Sequence, residues 1–308
     1  MDNGMVSGGC GVLLLDKPEK MTSHDAVNRV RRLFDTKSVG HTGTLDPMAT
    51  GMLILLIGRA VKASEYFSDG DKRYSARIRL GVESDTEDIW GNVIKVSDKL
   101  PDAAAVIAAG EKFRGEIMQV PPMFSALKRD GKKLVDLARS GITVEREARK
   151  VTVRSIDVFP TEREDEYRLE VCCSKGTYIR TLCSDIGKAL GCGAVMSGLR
   201  RTEACGFSIA EAYTLERLGE MSMDERLSLL LPTEDAFPSY PRIVLDGFYA
   251  ALAGNGNEIY QKKINTDIPK GERVLLFDKI GMFAFGEVRE YPDGSAIKPI
   301  KQIRIQVR

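Results

Sequence analysis

The sequence predicts an α+β fold followed by a small, β-rich C-terminal domain. Strand-like and helix-like segments are interspersed through the first 235 residues without the regular βαβ repeat of a doubly wound sheet. The stretch LLLPTEDAFPSYP, with Pro232, Pro238 and Pro241, then breaks the pattern and marks a domain boundary. Beyond it, VLLF, GMFAFGEV and KQIRIQVR read as strands separated by glycine-rich turns. A small barrel or sandwich is therefore expected over residues 241–308.

Taken in order, residues 1–10 form a lead that precedes the first element. GVLLLD (11–16) reads as a short buried strand, and in the turn after it Thr22 and Asp25 have the spacing of a capping box. Val27, Val30, Leu33 and Phe34 then recur at helical spacing, leaving Asn28, Arg29, Arg31 and Arg32 on an outer basic face. GMLILLIG (51–58) is apolar throughout, as in a central strand covered on both faces. KRYSARIRLG alternates, placing Tyr74, Ala76, Ile78 and Leu80 on one buried face. VTVRSIDVF (151–159) and YRLEVCC (167–173) are further strands, the second burying Tyr167, Leu169, Val171 and Cys173. After the turn SKGT, Ile179, Leu182, Cys183, Ile186 and Leu190 mark an amphipathic helix.

Composition removes several classes of function. With 43% hydrophobic and 29% charged residues, the 308-residue chain has the balance of a globular protein. Its longest apolar run, MLILLI, is too short to span a bilayer. No basic patch followed by a long apolar region opens the chain, so a cytoplasmic protein is expected. Six irregularly spaced cysteines with no CxxC pair read as free buried thiols. Only His24 and His41 are available as imidazole ligands, so no metal site is expected, and the sequence carries no cofactor fingerprint. Net charge is +1, but residues 112–154 hold eleven Lys/Arg against five Asp/Glu, while 210–240 hold two against seven. One face suits an anionic partner, although a solvated surface would look the same.

The segment GHTGTLDPMATG (40–51) carries the first candidate for chemistry. Asp46 precedes a proline and an apolar strand, which leaves two readings open: a turn cap, or a carboxylate aimed at a ligand from the mouth of a sheet. The loop lacks the Gly-Lys-Ser/Thr ending of a phosphate-binding P-loop. Arg180 opens a helix, and Tyr178 shares its face if the backbone there is extended. Tyr74 is a strand residue, and His41 sits beside the Asp46 turn.

Taken together, LLLDKPEKMTSHDAVNRVRRLF, GHTGTLDPMATGMLILLIGRAVK, KRYSARIRLG, QVPPMFSALKRDGKKLVDLARSG, SKGTYIRTLCSDIG and SGLRRTEACGF resemble the bacterial tRNA pseudouridine-55 synthase family of the TruB type. The blocks are co-linear over residues 11–207. The resemblance implies a mixed, largely antiparallel sheet flanked by helices over residues 11–235, with an RNA-binding insertion at 112–150 and a PUA-like RNA-binding domain over 241–308. It implies that uridine 55 in the T-loop of tRNA is flipped out and isomerised without a cofactor, with Asp46 as the catalytic aspartate and Arg180 as its partner. Tyr74 is implied to stack on the base and help the C5 proton leave, and Tyr178 and Leu199 to line the pocket. His41 is implied to fill the gap in the RNA stack, and Lys17 with Pro18 to support the pocket floor. Lys128, Arg129, Lys132 and Lys133 are then candidates for phosphate contacts. A monomer acting on the T-arm is expected, away from any membrane. No carboxylate of the acidic turn DTEDIWGN (85–92) stands out. Two alternatives share the resemblance: a tRNA-binding folding helper, and a guide-RNA-dependent synthase.

Overall fold

The computed structural model describes residues 9–67, 70–129 and 131–304. The first half of the chain forms β1 (Gly11–Lys17), α1 (Ser23–Leu33), β2 (Val39–His41), β3 (Thr50–Ile57), β4 (Lys72–Leu80), β5 (Val82–Ser84), β6 (Val93–Val96), α2 (Ala103–Glu111) and β7 (Gly115–Gln119). A short hairpin of β8 (Lys128–Arg129) and β9 (Lys132–Lys133) leads into α3 (Leu134–Arg139). Next come β10 (Arg149–Pro160), β11 (Glu166–Cys173), α4 (Ile179–Leu190), β12 (Ala194–Ala204), β13 (Phe207–Ser208), β14 (Tyr213–Thr214), α5 (Leu215–Glu220) and α6 (Met223–Ser228). The C-terminal part contains β15 (Arg242–Val244), α7 (Gly247–Gly254), β16 (Ile259–Tyr260), β17 (Arg273–Asp278), β18 (Gly281–Tyr291) and β19 (Gly294–Gln302).

Among the described residues, ten strands make one mixed sheet whose main path is β14-β1-β3-β12-β4-β11-β10-β7. Its pairs are antiparallel except β1 with β14 and β3 with β12. The two-residue period of a strand explains the continuous apolar runs at its centre. Leu13, Leu15, Leu53, Leu55 and Ile57 face one core with α1, α2 and α4. Val12, Leu14, Met52, Ile54 and Leu56 face the other way.

That second face is covered by the C-terminal unit. Phe237, Leu275, Met282, Phe285 and Ile303 join it in one apolar cluster, and the Tyr66 ring stacks on Phe285 at 4.0 Å. The five-stranded sheet β15-β17-β18-β19-β16 also has its own core, including Val274, Phe283, Val288 and Ile297. Each fully buried side chain of this size contributes roughly 1.5–3 kcal/mol, so the shared cluster ties the two sheets together.

Helix α1 begins as its sequence indicates: Thr22 and Asp25 complete the capping box, and Val27, Val30 and Phe34 are buried. The end of the chain differs from expectation. β19 stops at Gln302, Ile303 turns into the shared core, and the remainder of KQIRIQVR after Arg304 lies outside the described residues. None of the six cysteines is in a disulfide, but Cys10 is exposed and Cys205 only partly covered, contrary to a uniformly buried set.

Candidate active site

Asp46 lies on the turn between β2 and β3, and that turn is latched from outside. Ser23, at the start of α1 and 2% exposed, donates from Oγ to the Leu45 carbonyl at 3.1 Å and accepts from the Leu45 N–H at 2.8 Å. The Lys20 N–H donates to the Pro47 carbonyl at 2.8 Å, and the Ala49 N–H to that of Asp46 at 3.0 Å. Leu45, Met48 and Ala49 of the same turn are buried. Gly51 closes the segment with φ +101°, where a Cβ would come within 2.3 Å of the Arg201 carbonyl oxygen; only glycine fits this crossing.

Arg180, on the first turn of α4, meets the carboxylate. Its Nε lies 2.8 Å from Oδ2 of Asp46 and its Nη2 3.4 Å from Oδ1. The other donors bind the carbonyls of Thr86 (3.1 Å) and Phe124 (2.9 Å), and Oδ2 of Asp88 lies 3.8 Å from Nη1. This guanidinium is 4% exposed, and its donors are thus satisfied by two loops as well as by Asp46. The Asp46 side chain remains 35% exposed, so it has a side open to a ligand.

Opposing effects act on the Asp46 carboxyl. Burial raises its pKa, and Asp88 adds to this, whereas Arg180 and Lys17 hold it down. Burial wins, so the group titrates above the ordinary aspartate value of 3.8. The Arg180 pairing that the resemblance implies would by itself lower this pKa; desolvation, which only the finished fold supplies, reverses the direction.

Lys17 lies under the site. It is fully buried and donates from Nζ to the carbonyls of Pro18 (2.8 Å) and Met21 (2.7 Å). Burial lowers its pKa to about 8, with attraction to Asp46 opposing the shift and Arg201 adding to it. Tyr74, on β4 and 8% exposed, stands opposite Arg201 of β12 in the strand register. Burial raises the Tyr74 pKa, and the Arg201 guanidinium partly opposes it. Arg201 is itself 2% exposed and donates to the carbonyls of Met52 (2.7 Å) and Gly43 (3.1 Å), joining β12 to the Asp46 loop.

His41 ends β2, with a buried Nδ1 that has no hydrogen-bond partner in the described chain. Burial and Arg201 lower its pKa, favouring the neutral imidazole. Tyr178 precedes α4 in extended conformation (φ −97°, ψ 110°), and Gln119 holds its backbone through hydrogen bonds of 2.8 and 3.1 Å. Leu199, on β12 opposite Ala76, is partly buried against the main core.

The structure therefore brings Arg180 onto the Asp46 carboxylate and buries Lys17 near enough for the two charges to act on each other, while Tyr74 and His41 lie within the electrostatic reach of Arg201, which holds Gly43 of the same loop. Lys128, Arg129, Lys132 and Lys133 stand apart on the exposed β8–β9 hairpin, where Arg129 donates to the Glu145 carbonyl. Ser23, Asp88, Gln119 and Arg201 do not stand out in the sequence as site residues. Each falls inside a block already noted, but as polar residues they carry no periodic signal, and their partners are distant in sequence. Within the acidic turn, Asp88 faces Arg180, while Glu87 accepts from Thr181 Oγ1 at 2.5 Å. Among the described residues, no group of three or more His, Cys, Asp or Glu side chains is arranged to hold a metal ion. No helix there is long and apolar enough to cross a membrane.

Comparison with known proteins places this arrangement. Residues 31–179 match the N-terminal domain of the TruB family pseudouridylate synthases, and residues 180–238 match the tRNA pseudouridylate synthase B C-terminal domain. The tRNA pseudouridine synthase B of Burkholderia mallei (strain NCTC 10247) is 46% identical over 270 residues, covering 87% of this chain and 89% of that protein. The protein of the same name from Aromatoleum aromaticum is 48% identical over 246 residues, covering 80% of each. A chain in the crystal structure of a Cbf5-Nop10-Gar1 complex superposes with a TM-score of 0.72 at 26% identity, covering 96% of this chain and 85% of that one. The chain belongs to the TruB family of pseudouridylate synthases.

Proposed function

We propose that the protein isomerises uridine to pseudouridine in tRNA, at position 55 of the T-loop, with Asp46 as the catalytic carboxylate. The observation that carries this reading is the partly open Asp46 carboxylate gripped through two nitrogens by the buried Arg180. The N1–C1′ bond breaks, the uracil turns, and C5 bonds to C1′. N1 gains a proton and C5 loses one, so no electrons enter or leave and no cofactor is needed.

Asp46 acts in its ionised form, by adding to C1′ or by removing a sugar proton. Arg180 aims it and favours its charge. Flipping the uridine costs a few kcal/mol, which contacts in the pocket must offset. Tyr74 stacks on the ring and relays the C5 proton, with Tyr178 and Leu199 beside it and Lys17 bracing the floor. The neutral His41 ring occupies the vacated place in the stack. The basic hairpin meets phosphates, the C-terminal sheet supports RNA binding, and a single copy of the chain suffices.

The relatives at 46–48% identity carry the name tRNA pseudouridine synthase B, which favours a stand-alone enzyme over a guide-dependent one. Incubation with an unmodified tRNA transcript, followed by site mapping of pseudouridine, tests the reading. Modification confined to uridine 55 is expected. An unmodified transcript, or a product elsewhere, would contradict it.

A further inference from the structure

Gln119 grips the backbone of Tyr178 from both sides. Its Oε1 accepts from the Tyr178 N–H at 2.8 Å and its Nε2 donates to the Tyr178 carbonyl at 3.1 Å. Tyr178 is the cap residue of α4, and its side chain makes no capping hydrogen bond. Tyrosine is a poor cap because it cannot satisfy the free N–H groups of the first turn. A primary amide carries both a donor and an acceptor, so one glutamine can hold this peptide on both sides. Gln119 is 2% exposed, which makes these bonds costly to lose.

The chain after Gln119 returns to the same helical turn. Pro121 and Pro122, both buried, fix the backbone and supply no N–H groups. Two residues further on, the Phe124 carbonyl accepts from Arg180 Nη2 at 2.9 Å. The strap from Gln119 to Phe124 is thus fastened to Tyr178 at one end and Arg180 at the other. It then leads to the basic hairpin, and the Ser125 and Leu127 carbonyls accept from the N–H groups of Val135 and Leu134 of α3.

We propose that Gln119 is a positioning residue, holding the first turn of α4 so that Arg180 meets Asp46 and Tyr178 meets the base. The proposal rests on the uridine reading given above. Gln119→Ala removes both bonds, while Gln119→Glu keeps an acceptor for the Tyr178 N–H.

Hydrogen exchange on the free full-length protein, together with single-turnover isomerisation and transcript affinity, tests it. In Gln119→Ala, exchange at the Tyr178 amide should rise at least about tenfold, with the later turns of α4 unchanged. The single-turnover rate should fall by about ten- to a hundredfold while the transcript Kd changes by less than about threefold. Gln119→Glu should lose less, and the acid limb of the Gln119→Ala rate profile should move to higher pH as Arg180 loosens from Asp46. A purely structural residue would lower thermal stability without moving that limb. Unchanged Tyr178 exchange, an unchanged rate or an unmoved limb would each overturn the proposal. Inactivity of the wild type on tRNA would instead overturn the uridine reading, and the exchange measurement would still decide on the grip.

Discussion

Arg180 Nε and Asp46 Oδ2 stand 2.8 Å apart although the two residues are separated by 134 positions in the chain. Two loops hold the arginine in place, through the carbonyls of Thr86 and Phe124, so its fork is set before any ligand arrives. A preset charge aimed at a partly open carboxylate is an arrangement suited to catalysis.

This geometry predicts how activity depends on pH. On the proposed function ionised Asp46 is the active form; its pKa lies above the ordinary 3.8, so activity should fall as pH drops through that raised value. Arg180→Met removes the main influence holding the pKa down, and the acid limb should move further up. Its single-turnover rate should drop by about a hundredfold or more, with Arg180→Lys intermediate because a lysine keeps the charge but lacks the fork. Rate profiles between about pH 4 and pH 8 check both points.

Lys17 gives a stability test with a definite sign. Its pKa is about 8 when folded and 10.5 in its ordinary state, so between those values the unfolded chain binds more protons. This group's contribution to stability therefore rises with pH across that window. Lys17→Met lacks it, and also leaves the Pro18 and Met21 carbonyls without their donor at a cost of about 1–3 kcal/mol each. Denaturant titrations should show the wild type ahead at pH 7, with the gap widening up to about pH 10.

The cluster joining the two sheets predicts cooperative unfolding. Phe285 is fully buried among Tyr66, Phe237 and Tyr240. Phe285→Ala should cost about 3–5 kcal/mol. A single transition at lower denaturant is expected for tryptophan fluorescence and circular dichroism alike; two separated transitions in the wild type would contradict a shared core.

The basic hairpin should act on binding alone. Changing Lys128, Arg129, Lys132 and Lys133 together to alanine should weaken transcript affinity and reduce the steepness of its salt dependence by about 0.7–0.9 per lost phosphate contact. The rate at saturating RNA should stay near that of the wild type. Affinity measured across a salt series gives the slope directly.

Much of the fold was legible because burial writes a period into the sequence. The alternation of Tyr74, Ala76, Ile78 and Leu80 and the helical spacing of Val27, Val30 and Phe34 both reflect the faces they cover. The Asp46–Arg180 contact of the candidate site was legible through blocks such as GHTGTLDPMATG and SKGTYIRTLCSDIG rather than through periodicity. Gln119 and Ser23 were not, since a lone polar residue reveals its partner only when the chain has folded. The place of Ile303 was not legible either: its alternation suits a strand, and only the folded chain shows it buried in the cluster shared by the two sheets.

Tritium release from a tRNA transcript carrying [5-³H]uridine, compared between wild type and Asp46→Asn, reports loss of the C5 hydrogen itself. The substitution keeps the shape and removes the charge. Rapid release by the wild type and none by Asp46→Asn is the predicted result. Equal release by both, or none from either, would contradict a pseudouridine synthase centred on Asp46.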